Sequence, residues 1–177
     1  MQRGKAAQKA AMMGMLFALA IALSYLENML PPIAGAVPGI KLGLSNIVTM
    51  YCLFIEGPVS ALLLAVLKGG AVTVTRGLAG GALSLCGGLC SVAVMLLCNR
   101  LKSKNMFTSV MGAVAHNIGQ LVAASLLVSS AFALYYIPVL VISGVAMGII
   151  TSLIYKAISP ALEKLNSQKK NESWDDK

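Results

Sequence analysis

The chain has 177 residues, 58% hydrophobic and 11% charged, with a mean hydropathy of +0.82. A soluble domain carries roughly a quarter charged residues, so this composition excludes a water-soluble core and points to one compact polytopic membrane domain. The net charge of +8 is gathered at Arg3, Lys5 and Lys9, at Arg100, Lys102 and Lys104, and at Lys156, Lys164, Lys169, Lys170 and Lys177, flanking apolar stretches as cytoplasmic segments do, rather than forming a nucleic-acid surface.

A membrane span needs about 20 residues at about 1.5 Å each. After a basic N-terminal segment, 1–9, the first apolar stretch runs over 10–30 and ends at Pro31-Pro32. Its length suits a retained helix better than a cleaved signal peptide. The second stretch, 42–55, is short and stops at Glu56-Gly57-Pro58, where Pro58 suits the first turn of the next helix. The third covers 58–75; after Arg76, Gly77, Gly80 and Gly81 the fourth covers 82–98, and a basic loop fills 99–105. The fifth covers 107–133, and Pro138 opens the sixth, which ends near 158. Ser159-Pro160 then leads into a charged tail, 159–177, expected as a frayed helix followed by disorder. The expected fold is all-α, with six transmembrane helices in a 10–158 domain. Both termini are cytoplasmic in this arrangement, and all three basic clusters share one side. Five or seven spans would put the C-terminal lysines outside.

Lys41, Lys68 and Arg76 stand outside the basic clusters. In the six-span topology Lys41 and Arg76 lie at the outer boundary, with Lys68 about two turns deeper. A charge near the bilayer centre costs about 2.5–3.5 kcal/mol on insertion scales, so Lys68 needs a partner, a wet cavity or room to snorkel. Lys41 and Arg76 either anchor to headgroups or join Lys68 in drawing an anionic group into an outward-facing pocket. Asn46, one turn inside Lys41, is a candidate pocket wall, while Gly43 and Ser45 are assigned to helix packing. Glu27, beside Asn28, is the carboxylate placed to pair with Lys41 or Arg76.

On the fifth span His116 and Gln120 share a face, with Asn117 beside them. Polar groups at that depth face the bundle or a cavity, so they serve interhelical hydrogen bonding or a ligand. Tyr135, next to Tyr136, either anchors the helix end or covers a bound ring. Gly14, Ala18 and Ala22 repeat every four residues along one face of the first span. Such a stripe permits close backbone approach, either within the bundle or to a partner. Gly144 and Gly148 form a packing face on the sixth span. Cys52, Cys86, Cys90 and Cys98 lie in apolar surroundings and are expected as packing residues. A lone histidine without cysteine or carboxylate neighbours makes no metal site, and no cofactor is expected. Neither a phosphate-cradling G-x-x-x-x-G-K-[ST] loop nor a nucleophile–base pattern is present, so the chain is not expected to be an enzyme.

Residues 39–48 (Gly39-Ile40-Lys41-Leu42-Gly43-Leu44-Ser45-Asn46-Ile47-Val48), then Glu56-Gly57-Pro58, then Leu83-Ser84-Leu85-Cys86-Gly87-Gly88, resemble the heptaprenyl diphosphate synthase component I family, also called the Gx transporter family. The likeness covers most of residues 10–158. That family is in turn similar to the substrate-binding S components of energy-coupling factor (ECF) vitamin transporters. The resemblance implies a multi-pass cell-membrane protein that binds a small, anionic vitamin- or cofactor-like molecule from the outer face. It also implies docking of the first helix, through Gly14, Ala18 and Ala22, on an ECF coupling subunit that works with ATPases; membrane lipid is a further partner. The family's other name implies an alternative, a non-catalytic membrane subunit of a heptaprenyl diphosphate or quinone-linked system. Prenyl chain elongation needs aspartate-rich motifs to hold magnesium against a diphosphate. The only aspartates here are Asp175 and Asp176, which favours the transporter-like reading.

Overall fold

The computed structural model describes residues 2–29, 44–128 and 137–175. They form five α-helices and, among the described residues, no strand: α1 (Gln2–Met29), α2 (Asn46–Ile55), α3 (Pro58–Arg100), α4 (Asn105–Val128) and α5 (Ile137–Asp175). Four of these carry segments long and apolar enough to cross a bilayer, namely Ala6–Glu27, Pro58–Arg100, Asn105–Leu127 and Ile137–Ala157. The chain is a helical membrane protein.

α3 has 43 residues, which as a straight rod would extend about 65 Å, twice the roughly 30 Å hydrocarbon thickness. It is not a rod. Gly77 leaves helical geometry with φ 77° and ψ 174°, a region open to glycine and costly for a side chain. Beyond it the helix folds back. Gly81 abuts Thr73, a Cβ on Gly69 would lie 3.0 Å from Leu85 Cδ1, and one on Gly88 would lie 3.3 Å from Ala65 Cβ. Residues 65 and 88 would be about 35 Å apart in an unbroken helix. The arms 58–76 and 78–100 therefore pack antiparallel, matching the expected third and fourth spans.

Two ends differ from expectation. α1 already begins at Gln2 and carries the basic segment 1–9 as helix. α5 continues as helix through Pro160 to Asp175, past its membrane-length segment, which ends at Ala157. A proline forfeits one backbone hydrogen bond, and the Ala, Leu, Glu and Lys residues that follow it favour helix.

α2 has ten residues, so it extends about 15 Å, half a hydrocarbon core. It is wedged against the rest: Val48, Met50, Cys52 and Leu53 join Leu16 and Ala20 of α1 and Ala61, Leu64, Ala65, Val92 and Met95 of α3 in one apolar cluster. Phe54 and Tyr155 bring α2 and α5 together, their ring centroids 5.1 Å apart. Gly144 and Gly148 seat α5 on α4, directly against Val114 and Val110. Lys41, Gly43, Tyr135 and Tyr136 fall outside the described residues.

Candidate functional site: a buried polar layer at half depth

Lys68 is 1% exposed, and its Nζ donates to Ser45 Oγ at 3.1 Å. Counting along the 58–76 arm, the lysine lies about 15 Å from one end and about 12 Å from the other. The contact therefore lies near the middle of that arm, and α2 begins there beside it. Asn46, the first residue of α2, accepts a hydrogen bond at Oδ1 from Ser91 Oγ of the second arm, 2.9 Å away. Thr49, one turn on, is fully buried, and its Oγ1 has no hydrogen-bond partner among the described residues.

α4 completes the layer from the opposite side. His116, Asn117 and Gln120 are all buried. The imidazole is hydrogen-bonded to the Gly87 backbone and lies within electrostatic reach of Lys68, while its Nδ1 has no partner. Gly87 permits this approach, because a Cβ there would lie 2.7 Å from Gln120 Cγ and 2.9 Å from the His116 carbonyl. Asn117 Nδ2 donates to the Leu140 carbonyl at 2.8 Å and to Ser143 Oγ at 3.1 Å. Its Oδ1 is buried without a partner.

Arg76 lies two turns from Lys68, at the Gly77 reversal. Its Nη2 donates to the Ser24 carbonyl at 2.6 Å, and its Nη1 is buried without a hydrogen bond. Glu27 is buried as well and acts electrostatically on both Lys68 and Arg76. Among the described residues of this half, two cations thus face one carboxylate. That leaves one positive charge in excess, which an anion would neutralise.

Of the residues singled out from sequence, Asn46, Lys68, His116, Asn117 and Gln120 are buried, and Arg76, two turns from Lys68, is half-buried. Lys41 and Tyr135 lie outside the described residues. Ser45 requires a correction: it serves Lys68 as hydrogen-bond acceptor, not simply as a packing residue. Glu27, expected to pair with Lys41 or Arg76, is buried and acts electrostatically on Arg76. Ser24 enters through its backbone carbonyl and Thr49 through an unsatisfied hydroxyl, and nothing in their local sequence signals either.

Gly14, Ala18 and Ala22 are exposed, and among the described residues a Cβ on Gly14 would meet nothing within 4 Å. Two grooves also open on the bundle flanks. One of about 530 Å³ lies among α1, α2 and α5, lined by Met12, Leu16, Leu19, Ile47, Tyr51 and Tyr155. Another, of about 560 Å³, lies between the second arm of α3 and α4 beside Cys86 and Cys90. Both are almost wholly apolar and stand apart from the polar layer.

The family model described as heptaprenyl diphosphate synthase component I matches residues 16–158. That region contains the whole polar layer, and the description implies at least one partner component. No curated protein and no solved structure matches the chain.

Proposed function

The chain belongs to the heptaprenyl diphosphate synthase component I family, and on that premise we propose that it is the ligand-binding membrane subunit of an uptake system. In this reading five full spans, counting the α3 arms separately, cross the cell membrane with α2 as a half-length helix among them, and both termini are cytoplasmic. A small anionic molecule enters from the outer face and is held by Asn46, Lys68, Arg76, His116, Asn117 and Gln120, with Lys41 and Tyr135 at the mouth. Separate subunits supply the energy, as in ECF transporters, and the exposed Gly14, Ala18 and Ala22 face of α1 is where a coupling subunit docks.

The observation that carries the reading is Lys68. The residue is 1% exposed, and near the centre of a bilayer a charge costs about 2.5–3.5 kcal/mol. A scaffold would be more stable with an apolar residue there. Retaining the charge makes sense where it meets an anion. Intramembrane ionisable groups commonly mark substrate paths, and Arg76 supplies a second donor nearer the surface.

The family description favours a second reading, a non-catalytic subunit that holds a separate prenyl-synthase component at the membrane. Native mass spectrometry of protein purified in mild detergent discriminates between the two. The uptake reading expects an anionic small molecule bound one to one, lost in Arg76→Gln. Ligand-free protein that instead co-purifies with a prenyl-synthase subunit and raises its activity would replace that reading with the second.

A further inference from the structure

The groove among α1, α2 and α5, about 530 Å³ in volume, is apolar along its length and basic at one end. Met12 and Leu23 both line it. The helix between them extends about 16 Å, half of the roughly 30 Å hydrocarbon core, so the groove has the length of one leaflet. Its α1 wall includes Met15 and Leu19, 63% and 49% exposed. α2 lines it only from Ile47 to Tyr51, about 6 Å, and much of the α1 wall stays open.

Polar groups gather at the Met12 end. Cys52 Sγ lies 3.8 Å from Met13 Sδ, which sets Met12 level with Tyr51. Lys9 precedes Met12 by one turn and acts electrostatically on Cys52, while Lys156 follows the lining residue Tyr155 on α5. Both lysines are exposed. Tyr51 and Tyr155, within electrostatic reach of each other, bring two phenol hydroxyls to this end, and the ring contact with Phe54 holds Tyr155 against α2. Glu56 also acts on Tyr51 and Cys52, so two ammonium groups stand against one carboxylate. The positive-inside rule assigns this basic end to the cytoplasmic leaflet, and tyrosine is enriched at headgroup level.

An alkyl chain gains little from an apolar groove when ordinary lipid surrounds it. The groove therefore places a chain, and the charged end decides which lipid stays. We infer that this groove holds an acyl chain of an anionic phospholipid from the cytoplasmic leaflet. Lys9 and Lys156 hold its phosphate, with Tyr51 and Tyr155 as further donors. Charge complementarity and the one-leaflet length both select that occupant. A second copy of this chain, oriented alike in the membrane, would add its own lysines at the same level, where like charges repel. The site is independent of the uptake reading.

The test uses the full chain, delipidated in mild detergent and titrated with phosphatidylglycerol or phosphatidylcholine of identical chains, with bound lipid counted by native mass spectrometry. Phosphatidylglycerol should bind the parent one to one and about 25-fold more tightly than phosphatidylcholine, because a lysine at an anionic headgroup contributes about fivefold. Lys9→Gln and Lys156→Gln should each lower that preference about fivefold, and the double variant should remove it. Both positions are exposed, so the unfolding temperature should stay at the parent's value. The chain is located by quenching in a Trp174→Phe background, which removes the single tryptophan. Phosphatidylglycerol with brominated chains should quench Leu19→Trp more than the phosphatidylcholine analogue does. Val122→Trp, in the groove beside Cys86 and Cys90, should be quenched equally by both. Equal affinity of the parent for the two lipids overturns the site. So does a preference that survives in the double variant, or equal quenching of Leu19→Trp by both lipids. A dimer whose Leu19→Trp escapes quenching by either lipid would overturn it too and give the groove to a second copy. None of these outcomes bears on the uptake reading.

Discussion

Where the second arm of α3 meets α4 and α5, helix spacing is set by glycines: Gly87, Gly112, Gly119 and Gly148 each lie where a Cβ would collide with the neighbouring helix, and at Gly144 it would be tight against Val114. Where α1, α2 and the first arm meet, an apolar cluster is supplemented by charges and hydrogen bonds among Ser24, Glu27, Ser45, Lys68 and Arg76. Apolar surface gains little by pairing in a lipid solvent, so close backbone contact is what holds helices together there. The first region is a rigid platform with neutral polar groups. The second holds the buried ions, and unmatched polar atoms occur in both, Thr49 Oγ1 and Arg76 Nη1 here and His116 Nδ1 and Asn117 Oδ1 in the platform.

The sharpest way to break this contrast is to enlarge a platform glycine. Gly148→Leu would force side-chain atoms into the Val110 backbone, and it should abolish recovery of monodisperse protein in size-exclusion chromatography. Gly148→Ala should lower stability by about 1–3 kcal/mol, the usual range for overpacking, read by unfolding in mixed micelles. Normal behaviour of both would mean that the two regions are packed alike.

Next in size is Arg76→Gln, whose effect should fall on ligand binding. With the ligand found by native mass spectrometry, calorimetry should show affinity reduced about 10- to 150-fold, because one charge-assisted contact is lost. Thermal stability should change little. Parent-like affinity would make Arg76 a structural tie to the Ser24 carbonyl.

Asn117→Leu should be milder. It removes the hydrogen bonds to Leu140 and Ser143, and interhelical hydrogen bonds in membranes average about 0.6 kcal/mol and reach about 1.7. A loss in that range, measured by steric trapping in bicelles, places Asn117 with the platform. A larger effect on ligand affinity than on folding would move it to the site.

The smallest effect on the isolated chain is expected for Ala18→Leu. The position is exposed, so stability should stay within about 0.5 kcal/mol, while co-purification of a coupling partner should disappear. An undiminished complex yield would leave this face to lipid.

Much of the site was legible as a set of residue types, and little of it as a set of contacts. Lys68, His116, Asn117 and Gln120 stand out because polar groups within apolar stretches must turn inwards. Arg76 stands out because it departs from the charge asymmetry of the other basic clusters. Ser45 was misassigned because its role depends on Lys68, 23 positions away, and serine is as common in packing as in hydrogen bonding. The burial of Glu27 likewise depends on where α1 lies against the α3 reversal.

Sequence by itself determined the all-helical membrane class, the apolar segments and the break near Gly77, because bilayer thickness and backbone hydrogen bonding leave a chain this apolar few alternatives. Periodicity also put Gly14, Ala18 and Ala22 on one face without saying what that face meets. Only the tertiary structure decided that α2 starts beside the middle of the first α3 arm, that its N-cap serine turns to a buried ammonium, and that the small-residue face of α1 is exposed among the described residues. Those are relations between helices, and a pattern along one helix carries information about its own faces but not about which neighbour each face will meet.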